Sequence, residues 1–205
     1  MENILDSWKN KEVFEKQLSL NLKELEATYP AHWTAFITFM TLLKPKVKTV
    51  LDVGCGVGAY SELCRRHFQE IKYIGMDYAE EAIEVASKRW PGIEFKCKNY
   101  KDLTPDDLRG VDVLHACSLH NVLPDGDECL DFLLGLKAKY VILGKILITG
   151  KASFYSTYMA YNTIQTYLYR HNYLGLYSLF KKHGYLAKEM RVEDASNFLL
   201  RGVDV

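Results

Sequence analysis

The chain predicts an α/β domain whose mostly parallel sheet is covered by helices on both faces, and three observations carry that expectation. Short β-branched apolar runs alternate with helical segments from residue 49 to residue 145, the rhythm of successive βαβ units. The first of these runs ends in glycines at alternate positions, Gly54, Gly56 and Gly58, where a strand must turn sharply into a helix. Two apolar runs then close the chain with only Asp194-Ala-Ser-Asn between them. That link is too short for a helical crossover, so the last strand runs antiparallel.

Each element has its own signal. Residues 12–28 place Phe14, Leu18, Leu22 and Leu25 at helical spacing, and Pro30 stops the run; a second helix covers 31–43, before Pro45. Strands follow at 49–53, 71–76, 93–97, 111–116 and 139–145, with helices at 61–68, 79–90 and 127–136 between them. Pro91-Gly92 ends the helix at 79–90. A last helix at 173–183 is capped by Gly184, and the closing strands are 186–193 and 198–205.

With 48% hydrophobic residues in 205, the chain can bury a full core. Lysine plus arginine balances aspartate plus glutamate at 26 each, which argues against affinity built on many phosphates, so no nucleic-acid partner is expected. The lysines at 44, 46, 48, 96, 98 and 101 read as a solvated surface. Five cysteines, an odd number without a C-x-x-C pair, suit a reducing compartment and offer no metal-site spacing. No basic segment leads into a long apolar one, and no run is long enough to span a bilayer. The expectation is a cytoplasmic protein with no membrane insertion and no bound metal.

The glycines could serve several ligands. A phosphate loop needs Lys-Ser or Lys-Thr after them, and Gly58 is followed by Ala-Tyr-Ser-Glu. A dinucleotide fingerprint can be fitted only through Ala59. Asp52, two residues before the first glycine, is awkward beside a pyrophosphate but suits a ligand with an ammonium group. Asp77, 23 residues after Gly54 in Tyr73-Ile-Gly-Met-Asp77, stands where an acid accepts from ribose hydroxyls. Asp77 is compatible with NAD or an adenosyl ligand; Asp52 favours the adenosyl one.

Leu51-Asp-Val-Gly-Cys-Gly-Val-Gly58, followed by Ile74-Gly-Met-Asp77 and a helix from Ala79, resembles the first two motifs of the class I S-adenosylmethionine-dependent methyltransferases. The similarity runs from about residue 49 to residue 145. It implies a Rossmann-like, doubly wound, seven-stranded sheet in the order 3-2-1-4-5-7-6 with strand seven antiparallel. It implies an N-terminal helical cap at 1–45 on a methyltransferase domain at 46–205, and S-adenosyl-L-methionine as cofactor with S-adenosyl-L-homocysteine as product. Carried over by position, Gly54, Cys55 and Gly56 line the methionine moiety, Asp77 holds the ribose diol and Tyr78 packs on the adenine. Asn99, where relatives carry an aspartate, would accept from the adenine amino group, with Tyr100 beside it. Cys117 and Ser118 border the methionine side.

Methyl transfer from a sulfonium needs alignment more than acid–base chemistry. His120, just past the fourth strand, is the candidate general base or acceptor contact, since a histidine titrates near neutrality. The resemblance does not support it directly, because many relatives place a histidine at the position of Val122. His115, inside the strand, reads as a core histidine. The insertion at 146–172 crowds Tyr155, Tyr158, Tyr161, Tyr167 and Tyr169 among Thr, Asn and Gln. It reads as a wall over a polar ring-shaped acceptor such as a sugar, or as a packed surface facing a second subunit, which leaves a homodimer open. Candidate acceptor contacts are His32, Asn121, Tyr158, Tyr161 and His171.

The expected function is methyl transfer from S-adenosylmethionine to a small-molecule or saccharide acceptor, at oxygen rather than nitrogen. A non-catalytic S-adenosylmethionine-binding partner protein and an NAD(P)-dependent oxidoreductase are the rival readings.

Overall fold

The computed structural model describes residues 4–192 and 195–203; the expected strand ends at 193 and at 204–205, and Asp194 of the closing link, lie outside the described residues. Two helices come first, α1 (Lys11–Glu26) and α2 (Ala31–Leu43). Asn10 starts α1 by accepting from the Glu12 amide at 3.0 Å, and Pro30 opens α2. The alternating region then runs β1 (Thr49–Val53), α3 (Ala59–His67), β2 (Lys72–Asp77), α4 (Glu80–Arg89), β3 (Glu94–Cys97), β4 (Val113–Cys117), α5 (Gly126–Gly135) and β5 (Tyr140–Thr149). The chain closes with β6 (Phe154–Ala160), β7 (Ile164–Asn172), α6 (Tyr173–Lys182), β8 (Tyr185–Val192) and β9 (Ala195–Gly202).

Strands β3-β2-β1-β4-β5 pair parallel in that order. Strand β9 pairs antiparallel with β5, and β8 with β9. Counted without β6 and β7, this is the expected order, with the last strand reversed. The sheet has nine strands because the tyrosine-rich insertion folds into a hairpin, β6 against β7, and β7 joins the far end of β5 through Ile148↔His171 and Thr149↔Asn172. The closing hairpin turns more tightly than expected: Val192 pairs with Ala195, so 195–197 belong to β9 and not to a link.

Both faces of the parallel set are covered, which is why its strands are apolar on each side. One face packs α5 and α6 through Leu130, Leu133, Leu134 and Phe180 onto Leu114, Val141 and Phe198. The other packs Phe36, Phe39 and Met40 of α2, with Leu63 of α3, onto Val50 and Ile142. Burying each such side chain stabilises the fold by roughly 1.5–3 kcal/mol. Helix α2 is thus a structural layer of the sheet, and α1 lies above it near the carboxyl ends of the strands.

Candidate active site

A cavity of about 610 Å³ opens over the carboxyl ends of β1, β2 and β4, at the position where an open α/β sheet binds ligands. The N-terminal segment and the β6–β7 hairpin roof it. They are tied to each other by Trp8 Nε1 donating to Thr166 Oγ1 at 2.8 Å and Lys16 Nζ to Thr163 Oγ1 at 2.6 Å. The hairpin turns through the three residues 161–163, with Tyr161 and Asn162 both at positive φ (53° and 54°). That turn delivers Tyr161 to the cavity wall.

Gly54, Gly56 and Gly58 all adopt left-handed φ. At Gly56 a Cβ would come within 2.7 Å of Gln17 Oε1. The loop's own amides are engaged inside the fold: Gly54 and Cys55 donate to Met76 O at 2.8 and 3.0 Å, and Gly56 donates to Asp77 Oδ2 at 2.9 Å. A phosphate cradle works by aiming such N–H groups at the ligand. Here they are turned away, which disfavours a pyrophosphate at this loop.

Asp52 lines the cavity floor yet is 1% exposed. Its Oδ2 accepts from Tyr73 Oη at 2.5 Å and its Oδ1 pairs with His115 Nδ1 at 2.7 Å. The carboxylate ties β1 to β2 and β4 while keeping its place in the cavity lining. His115 is the buried core histidine that its place in the strand implied. Gln17 offers a further acceptor beside the loop. Its Oε1 is buried beside the glycine loop without a hydrogen-bond partner among the described residues.

Asp77 ends β2 at the cavity, 8% exposed. Its Oδ1 accepts from the Ala79 amide at 3.1 Å and its Oδ2 from Gly56, so each oxygen keeps a lone pair for a ligand. Burial raises its pKa, and those two amides oppose the rise. Tyr78, Asn99 and Tyr100 line the same end. Asn99 Oδ1 also accepts from the Lys101 amide at 3.0 Å, capping the short turn that follows β3. Cys117 and Ser118 line the cavity from β4.

His32, Tyr158 and Tyr161, three of the expected acceptor contacts, line the same cavity. His32 is held neutral down to a pKa of about 3 by burial, then by the charge of Lys145 and by His115. Gln17, Asn21 and Glu24 of α1 join them, as do Tyr60 and Lys145, none of which the sequence singled out. The signal was available for the first three: positions 17, 21 and 24 form a polar stripe on one helix face.

His120, Asn121 and His171, expected to act on the acceptor, are buried and not among the residues that line the cavity. Ser118 takes a left-handed φ of 63° and starts a 3₁₀ turn, Leu119–Asn121. Leu119 therefore packs over Gly54, with its Cβ 3.1 Å from where a Gly54 Cβ would stand. A third of a turn later His120 points into the core, fully buried. There its Nδ1 lies 3.0 Å from Asn121 Oδ1, and its ring stacks edge-on to His171 at 5.2 Å between centroids. Burial first, then the neighbouring His171, lower its pKa to about 3. His171 is itself fully buried and pairs through Nδ1 with Asp127 at 2.7 Å. Asn121 is 3% exposed and donates to the backbone carbonyl of Lys145.

Among the described residues no cluster of His, Cys, Asp and Glu could hold a metal, and no helix is long and apolar enough to cross a membrane. The cavity lining includes the buried carboxylate of Asp77, an orphaned amide oxygen on Gln17, and Gly54 and Gly56 of the loop after β1. The Asp77 carboxylate and the Gln17 amide oxygen are acceptors that fit a ribose diol and an aminoacyl ammonium.

The family model described as "Methyltransferase domain" matches residues 50–133. The trans-aconitate 2-methyltransferase of Variovorax paradoxus is 28% identical over 94 residues, 46% of this chain and 36% of that protein. That of Rhizobium rhizogenes is 31% identical over 98 residues, 47% and 38%. The matched stretch thus spans less than two fifths of these relatives. S-adenosylmethionine-bound CalS10, an amino pentose methyltransferase from Micromonospora echinaspora, superposes with TM-score 0.65 at 12% identity, covering 90% of this chain and 96% of that one. Human N-acetylserotonin methyltransferase gives 0.69 at 14%, covering 98% and 59%. These structures share the fold. The motif-bearing region is thus matched as a methyltransferase domain over residues 50–133, and the sheet is built in the order that the resemblance to the class I S-adenosylmethionine-dependent methyltransferases implied.

Proposed function

We propose that the protein transfers a methyl group from S-adenosylmethionine to the oxygen of a small-molecule or sugar-containing acceptor. The observation that carries this reading is a single cavity lined both by Asp77, beside a glycine loop whose amides bond within the fold, and by the polar side chains His32 and Tyr161. When bound, the cofactor supplies an electrophilic methyl group on a positively charged sulfur. Asp77 would accept from the ribose hydroxyls, Asn99 and Tyr78 would flank the adenine, and Gln17 Oε1 would accept from the ammonium.

The chain's task is alignment and exclusion of water, which can supply several kcal/mol of barrier lowering without a strong base. The cap and hairpin close over the cavity, and His32 stays a neutral hydrogen-bond acceptor across the physiological range. We assign His32 the contact with the acceptor hydroxyl that His120 was expected to make. Solved relatives in fold that act on sugars, such as the sugar N-methyltransferase KedS8 from Streptoalloteichus (TM-score 0.65, 9% identity), support a small polar acceptor without fixing the atom methylated. The insertion's tyrosines favour the same class of acceptor.

The test is a screen of hydroxyl- and amine-bearing small molecules with methyl-labelled S-adenosylmethionine, with mass spectrometry locating the label. An O-methyl product supports the proposal. An N-methyl product overturns the choice of oxygen. Cofactor binding with no turnover of any acceptor favours the non-catalytic partner protein.

A further inference from the structure

Lys145 occupies a position that the fold maintains at a cost. It sits in a bulge of β5, where the pairing with β9 shifts register between Leu143 and Ile146, and its φ is +55°. That left-handed conformation is unfavourable for a residue with a side chain. Two buried asparagines hold it from opposite sides: Asn197, 2% exposed, accepts from the Lys145 amide at 2.9 Å, and Asn121 donates to its carbonyl. Nothing in the sheet requires a lysine there. Glycine would adopt the torsion without strain. A strained backbone retained at a cavity points to use of the side chain it carries.

That side chain lines the cavity, and no carboxylate lies within ion-pair distance of Nζ among the described residues. It shares the cavity wall with His32 and Cys117; burial chiefly lowers the His32 pKa and the charge of Lys145 adds to that, while burial raises the Cys117 pKa and the same charge opposes the rise. Strand β4 separates β5 from the glycine-bearing β1, which sets Lys145 roughly 10 Å across the sheet from the loop, two strand spacings. A counter-charge in the same cavity is Glu24, which raises the Tyr60 and Tyr161 pKa values and already accepts from Asn21 at 3.1 Å. One lysine without an arginine fork suits a singly charged carboxylate better than a phosphate dianion.

We propose that Lys145 anchors the methyl acceptor by a carboxylate group. The inference rests on the methyltransferase reading of the cavity, and it narrows the acceptor to an organic acid or an acidic sugar. Asn121 and Asn197 are positioning residues, which act by fixing the bulge from which Lys145 extends.

The test uses the full chain as wild type, Lys145→Met, Lys145→Arg and Lys145→Gly. Each is titrated calorimetrically with S-adenosylhomocysteine. Each is then titrated, with and without it, with acetate, succinate, citrate, benzoate and galacturonate, their amides, and inorganic phosphate. At least one carboxylate is expected to bind wild type while its amide does not, to weaken at least tenfold in Lys145→Met, and to stay within threefold in Lys145→Arg. S-adenosylhomocysteine affinity is expected to change less than threefold throughout. Lys145→Gly is expected to lose the carboxylate while melting no lower than wild type, a pattern that a purely structural lysine would not give. No preference for carboxylate over amide, or indifference to Lys145→Met, overturns the proposal. Loss of S-adenosylhomocysteine affinity in Lys145→Met also overturns it, by giving the carboxylate to the cofactor, as does tighter, Lys145-dependent phosphate binding. Failure of wild type to bind S-adenosylhomocysteine strikes instead at the methyltransferase reading, since the carboxylate titration without it is read separately.

Discussion

Asp52 Oδ1 stands 2.7 Å from His115 Nδ1, and both side chains are shut away from solvent. The acidic residue of the glycine motif is therefore a structural tie between adjacent strands, completed by Tyr73 Oη at 2.5 Å. Removing one partner of a buried pair leaves the other's polar atoms unsatisfied and costs about 3–5 kcal/mol. Asp52→Ala should lower folding stability by that order, seen as a large fall in the urea midpoint. Asp52→Asn, which keeps the shape, should lose less.

Gly56 combines a φ of +51° with Gln17 Oε1 at 2.7 Å from the place of a Cβ. Gly56→Ala should destabilise by roughly 1–2 kcal/mol from the left-handed torsion. It should weaken S-adenosylhomocysteine more than its stability loss explains, because it displaces Gln17. Calorimetry on protein checked for folding by circular dichroism separates the two effects.

His120 should affect the acid limb of stability and not the chemistry. Its pKa is about 3 in the fold, against 6.5 for a free imidazole. Below pH 6.5 the unfolded chain takes up a proton that the native chain refuses, so stability is full above 6.5 and falls as the pH drops towards 3. At pH 5 the loss from His120 is about 2 kcal/mol. His32, lowered to a similar value, adds a change of the same sign. His120→Gln should show a smaller fall in melting temperature between pH 7 and pH 5 than wild type, and kcat within about threefold. A hundredfold loss of kcat would return His120 to the reaction.

His32→Phe should reduce kcat at least tenfold while S-adenosylhomocysteine affinity stays within threefold, if His32, which lines the cavity, makes the proposed contact with the acceptor. Steady-state kinetics on the first acceptor found, paired with calorimetry, checks the split.

The parts of this molecule legible in the sequence are those where one local rule dominates. Strand β1 and its glycines were readable because apolar β-branched residues and left-handed turns have few alternatives, and Asp77 followed from its distance to that loop. The hairpin β6–β7 was not, because all of β6 before Ala160 is exposed, which removes the alternation that marks a half-buried strand. The burial of His120 was hidden for a different reason. Its direction depends on the left-handed Ser118, and one residue of phase in a 3₁₀ turn moves a side chain from the cavity to the core. Lys145 was invisible because a bulge is set by partners 24 and 52 residues away, Asn121 and Asn197.

The central claim is that Asp77 and the glycine loop hold an adenosyl cofactor. Calorimetric titration of wild type and Asp77→Ala with S-adenosylhomocysteine tests it most directly. The account predicts one saturable site in wild type, weakened at least tenfold (about 1.4 kcal/mol) by the substitution. Folded wild-type protein that binds NADH, or neither ligand, would contradict it.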